Sequence, residues 1–234
     1  MTLRVAIVTP YYQESPDLLS DCFNSVAIQT HPCRHIFVAD GFPNSLLDGF
    51  PVDHLKLPQP HFDIGSTPRL IGAIHAMSLG YDVILFLDAD NWYLPDHVSS
   101  VVHCMLNTSA VFVSTSRALH RPDGSFFSGC PNTDPDHFID TNCMAFGSAA
   151  FSILFNWVLM PSYAHLIGDR VILHHVLKSG LPRHHLDQPT VAYRCGKAGI
   201  YRQLGMPIPP GVSEPPDYSS AFRRWSSDGY PELL

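Results

Sequence analysis

At 234 residues with 45% hydrophobic content, the chain is long enough to bury one substantial core. Fourteen Lys and Arg against 21 Asp and Glu give a formal net charge of −7, which argues against a generic nucleic-acid or anionic-membrane surface. Six cysteines, at 22, 33, 104, 130, 143 and 195, form no CxxC pair and no zinc spacing, so they read as reduced thiols of a cytoplasmic protein.

The N-terminal LRVAIVTP reads as a first strand ending at Pro10, because it lacks the long apolar region and small-residue cleavage site of a signal peptide. PDLLSDCFNSVAIQT then sets Leu18, Leu19, Cys22, Phe23 and Val26 at helical spacing, and RHIFVAD gives a second strand ending at Asp40. PRLIGAIHAMSLG predicts a helix with Pro68 near its start and Gly80 at its end. DVILFLDAD supplies the central strand, an apolar run suited to burial on both faces. This alternation predicts an α/β fold with a mostly parallel sheet.

Beyond residue 95 the pattern changes. HVSSVVHCML predicts a helix, SAVFVSTSRAL a strand, HRPDGSFF a turn between strands, and HFIDTNCMAF a further strand. Residues 143–160 carry no charge and reach the length of a membrane span. Gly147, Ser148, Ser152 and Asn156 interrupt them without a basic flank, so they read as a short strand and a buried helix, with a membrane-facing or partner-facing helix as the alternative. DRVILHHVLKSG predicts a helix closing at Gly180, and PTVAYR a late strand. From Gly205 onward, prolines at 207, 209, 210, 215, 216 and 231 predict an extended tail without regular structure.

Carboxylates at strand ends project into the crevice where open α/β sheets bind ligands. Asp40, Asp88 and Asp90 all end strands, and alternation puts Asp88 and Asp90 on one side with Ala89 between them. Two such charges need something positive nearby, and oxygen ligands suit Mg2+ or Mn2+. The plain alternative is an acidic helix cap, with Pro95 opening the next helix.

Five stretches together resemble family 2 glycosyltransferases of the GT-A fold: VAIVTPYYQES, SVAIQT, VADGF, GSTPRLIGA and FLDADNWYLPDH, the last similar to that family's Asp-x-Asp motif. The similarity covers residues 3–100 and extends less closely to 195. It implies a mostly parallel, Rossmann-like central sheet flanked by helices, with a smaller antiparallel sheet on the acceptor side. One domain would cover residues 1–204, with 1–100 binding a nucleotide-sugar, 101–204 binding the acceptor, and 205–234 forming the tail.

The resemblance also implies roles. Asp40 would contact the base, Pro10, Tyr11 and Glu14 would border the nucleotide, and Arg69 would offer forked donors to a phosphate. Asp90 would ligate Mn2+ or Mg2+, with Asp88 on the ribose or reaching the metal through water, and His185 is a candidate further ligand. Asp169 is the candidate base and Asp140 its rival, although Asp169 could instead cap its helix. The family's glutamate before that aspartate is Gly168 here, its Asp-Asp pair is Ala39-Asp40, and Phe42 replaces a serine. The activity implied is transfer, with inversion, of sugar from a UDP- or GDP-sugar to a hydroxyl of a glycan, lipid-linked, protein or small-molecule acceptor. Peripheral membrane contact and a homodimer stay open. A degenerate GT-A scaffold is the alternative; a nucleotidyltransferase ranks lower, because VTPYYQESPD lacks a Gly-rich loop with a basic residue.

Overall fold

The computed structural model describes residues 2–230, so Met1 and the last part of the expected tail, including Pro231, lie outside the described residues. Strand β1 (Val5–Tyr11) is buried along its whole length, as expected of a central parallel strand. Helix α1 (Pro16–Ala27) starts on Ser15, whose hydroxyl accepts the Leu18 N–H at 3.4 Å, with Pro16 in the first turn. Strands β2 (Cys33–Ala39) and β3 (Asp53–Lys56) follow, then helix α2 (Ser66–Ser78) and strand β4 (Val83–Phe86). Gly72 lets α2 settle on β1, since a Cβ there would lie 2.4 Å from Val8 Cγ1.

The second half contributes β5 (Trp92–Tyr93), α3 (His97–Thr108), β6 (Phe112–His120), β7 (Phe126–Gly129) and β8 (Met144–Gly147). It ends with α4 (Asn156–Leu159), α5 (Gly168–Ser179), β9 (Arg183–Arg194), α6 (Ala198–Gln203) and α7 (Tyr218–Ser227). The strands of the described residues join one nine-stranded sheet in the order β3-β2-β1-β4-β8-β6-β9-β5, with β7 on β6. The run β3-β2-β1-β4 is parallel throughout. The antiparallel strands expected on the acceptor side continue this same sheet through β8. Among the described residues, all six cysteines are free and no helix is long and apolar enough to cross a membrane.

Three expectations are corrected. The central strand stops at Phe86, and Asp88 to Asn91 form a turn closed by the Asn91 N–H on the Asp88 carbonyl at 3.0 Å. Strand alternation therefore does not orient the two aspartates. The strand expected over HFIDTNCMAF shrinks to β8, because Asp140 caps a short 3-10 turn over Thr141–Cys143 by accepting the Asn142 N–H. The proline-rich tail does contain a helix: no proline falls between 216 and 231, Asp217 caps α7, and Ala221 and Trp225 are buried.

Candidate active site

The carboxyl ends of β1, β2 and β4 open into a cavity of about 470 Å3. Its walls include Pro10, Tyr11, Glu14, Asp40, Arg69, Asp88 and Asp90, so every residue expected at the nucleotide lies on one surface. A second cavity of about 530 Å3 adjoins it and contains Asp140 and Asp169. Ile64, Arg69 and Asp88 line both, making the two cavities halves of one cleft.

A hydrogen-bonded chain crosses that boundary. Arg69 pairs with Asp88 through Nη2 and donates Nη1 to the Ile64 carbonyl at 2.7 Å, while its buried Nε–H has no partner among the described residues. Asn142 holds the other side: its Oδ1 accepts the Asp88 N–H at 2.5 Å, and its Nδ2 donates to Asp88 Oδ2 at 3.0 Å and Asp140 Oδ1 at 2.6 Å. Asp140 is then closed by Arg117. Arg69 is thus a buried partner of Asp88, and the fork expected to face a phosphate is largely occupied. It supplies part of the positive charge that the aspartates require.

Asp90 differs from Asp88. Among the described residues no cation pairs with it, and it keeps accessible surface inside the cleft although protein surrounds it on most sides. That enclosure, followed by the nearby Asp88 and Glu14 carboxylates, pushes its pKa up to about 7. The site is short of positive charge at Asp90. No group of three His, Cys, Asp or Glu side chains placed to hold a metal occurs among the described residues. A cation held by one or two carboxylates together with substrate phosphates needs no such group, so Asp90 and its surroundings fit that donor set. His185 is not brought there: its ring is bonded to Ser114 at 2.8 Å and Ser116 at 3.4 Å, and it lines neither half of the cleft.

The two base candidates are also unequal. Asp140 is committed to Arg117 and Asn142. Asp169 has no ion pair among the described residues and accepts only the Arg170 N–H, at 2.8 Å. Burial first, then the Asp140 charge, pushes its pKa up to about 6. It is no helix cap, since Ile167 occupies that position. Gly168 has a steric reason: a Cβ there would meet Trp157 Cζ3 at 2.9 Å, and Trp157 in turn carries the Arg69 guanidinium 5.1 Å from its ring centre.

Other contributors escape a reading by motif. Asp40 accepts the His61 N–H at 3.1 Å and has His61 Nδ1 at 2.6 Å, so its carboxylate is already engaged. At the mouth of the first cavity Tyr12 packs edge-on against Phe42 at 4.8 Å and Phe62 at 6.3 Å. Phe62 and Ile64 both hold φ of 56°, and Phe62 is 79% exposed. Two such residues in one loop store strain of the kind found at ligand sites. The prolines and aromatic side chains of PQPHFDIG are the sequence signal that could have marked this loop. Near the end of β9 and beyond it, Tyr193 and Lys197 line the second cavity, whereas Tyr201 is buried against Phe127 at 4.9 Å.

No protein-family profile matches the chain, and no curated protein matches its sequence. Solved structures do match in fold. S. aureus TarS aligns over 82% of this chain and 37% of its own length, with 12% identity and a TM-score of 0.65. TarS 1-349 in complex with UDP gives 12% identity and a TM-score of 0.64, over 82% of this chain and 60% of that one. The corresponding complex with UDP-GlcNAc gives 11% identity and a TM-score of 0.59, over 82% and 58%. The chain therefore spans 37 to 60% of the length of these structures. The shared architecture is the GT-A type.

Proposed function

We propose that the chain is a nucleotide-sugar-dependent glycosyltransferase that moves a sugar to an acceptor hydroxyl with inversion. The observation carrying this reading is a single cleft with two unlike halves meeting at Arg69 and Asp88. One half offers an uncompensated carboxylate and aromatic edges, which suit a metal-bound diphosphate and a flat base. The other offers Asp169, a carboxylate without an ionic partner. The UDP and UDP-GlcNAc complexes of the similarly folded TarS support the assignment of the first half.

In this reading Tyr12, Phe42 and Phe62 hold the base, and the unpartnered Arg69 Nε–H is available to a phosphate oxygen. Asp90, seconded by Asp88, would hold Mn2+ or Mg2+, which when bound supplies Lewis-acid stabilisation of the departing diphosphate. Asp169 takes the proton of the acceptor hydroxyl. The hydroxyl oxygen bonds to the anomeric carbon as the bond from that carbon to the diphosphate oxygen breaks, and the nucleoside diphosphate leaves with the bonding pair. With its pKa held at about 6, Asp169 is mainly ionised at neutral pH and still basic enough to accept the proton.

The test measures nucleoside diphosphate released from UDP- and GDP-sugars with Mn2+ and a pool of sugar and polyol acceptors. The reading requires release that depends on acceptor, falls by about 100-fold or more in Asp169→Asn, and disappears in Asp90→Asn. Acceptor-dependent release unchanged in both variants would refute it.

A further inference from the structure

The acceptor half of the cleft contains four Arg and Lys side chains of two kinds. Arg69 and Arg117 are neutralised by Asp88 and Asp140. Arg170 and Lys197 have no carboxylate partner within ion-pair distance among the described residues, although acids outnumber bases 21 to 14 in the chain. Arg170 donates Nη1 to the His137 carbonyl at 3.1 Å and rests over the Phe138 and Phe222 rings at 4.5 and 5.4 Å. Lys197 Nζ donates to Ser213 Oγ at 2.8 Å. The two come from different elements, Arg170 from the first turn of α5 beside Asp169 and Lys197 from the residue before α6.

Arg170, half-buried on the cavity wall, carries a solvation cost that an anion offsets, whereas Lys197 is exposed and adds its charge at the rim. The protein spends carboxylates on the two neighbouring arginines and leaves these two open. Asp169 does not fill the role, since it bonds the Arg170 backbone N–H at 2.8 Å and not the guanidinium, and its pKa is raised despite that cation. Phe138, Tyr193, Tyr218 and Phe222 line the same half of the cleft; Arg170 and Arg117 rest over the first, second and fourth of these rings, and Tyr218 adds a flat apolar surface of the sort that covers the C–H face of a sugar ring or polyol. The last two belong to the C-terminal segment, so α7 forms part of this wall.

From this geometry we infer that the acceptor is a sugar or polyol bearing a phosphate or carboxylate, which Arg170 and Lys197 hold while its hydroxyl faces Asp169. The inference rests on the cleft being a transfer site, and it names the acceptor's chemical class.

Calorimetry on the full chain, with UDP and Mn2+ present and again without them, tests it using glucose 6-phosphate, glucuronate and glucose. At least one anionic sugar should bind about tenfold or more tightly than glucose, and the two anions report separately on phosphate and carboxylate. Arg170→Gln and Lys197→Gln should each weaken that binding about tenfold and leave the UDP Kd within about twofold. Glucose binding as well as both anions, no sugar binding at all, or variants that weaken UDP in place of the sugar would each overturn the inference. Loss of UDP binding in the unmodified chain would instead count against the donor site, and the titrations without UDP would still decide the acceptor.

Discussion

The Arg69 guanidinium closes on the Asp88 carboxylate at the seam between the two halves of the cleft, with both residues on the wall of each half. Arg69 is 8% exposed, so removing it strands a carboxylate beside Asp90. Arg69→Met should cost about 2 kcal/mol in urea unfolding, below the range for fully buried pairs because the Asp88 side chain is 31% exposed. Arg69→Met with Asp88→Asn should recover at least half of that. A double variant less stable than the single one would mean that the pair does not account for the loss.

The raised pKa of Asp169 sets a pH dependence with a definite sign. Its value of about 6 in the fold, against an ordinary 3.8, means the folded chain binds a proton more tightly than the unfolded one. Its contribution to stability therefore falls as pH rises from about 4 to about 6 and is fully unfavourable above that. Asp169→Asn should raise stability by about 2 kcal/mol at pH 7.5 and leave it unchanged near pH 3.5. Thermal unfolding across this range checks the sign, and a gain confined to low pH would contradict it.

Phe62 is expected to serve binding without serving the fold. Exposed at 79%, it contributes little core, so Phe62→Ala should change stability by less than about 0.5 kcal/mol. Nucleotide affinity should fall by about tenfold, the scale of one base–aromatic stack. Unchanged affinity would remove Phe62 from the base site.

Helix α7 is held by Trp225, which is 3% exposed and stacks on Tyr230 at 4.2 Å, and by Tyr163, whose hydroxyl donates to Asp228 at 2.8 Å. Trp225→Ala should free the helix, detected as faster proteolysis after residue 205, and should weaken acceptor binding while sparing UDP. Equal loss of both ligands would point to a global effect.

The elements whose burial is periodic and local were legible in the sequence. The runs VAIVTPY and VILF and the helix end at Gly180 stand where pattern and turn chemistry put them. Strand β3 escaped because DHLK is short and polar, as an edge strand can be. Proline density hid α7, whose apolar face becomes evident only against residues 162–167. The nucleotide-side residues were gathered by the resemblance, and the structure sets them on one cavity wall. What could not be read were the long-range commitments: Asp88 to Arg69 and Asn142, Asp40 to His61, and Gly168 under Trp157. Each joins residues distant in sequence, and no local pattern encodes it.

The most direct measurement is calorimetric titration of UDP, GDP, CDP and TDP, with and without Mn2+, into the unmodified chain and Asp90→Asn. One nucleotide should bind when Mn2+ is present, lose at least about tenfold in affinity without it, and fail to bind the variant. Absence of binding by all four under every condition, or metal-independent binding unaffected by Asp90→Asn, would contradict it.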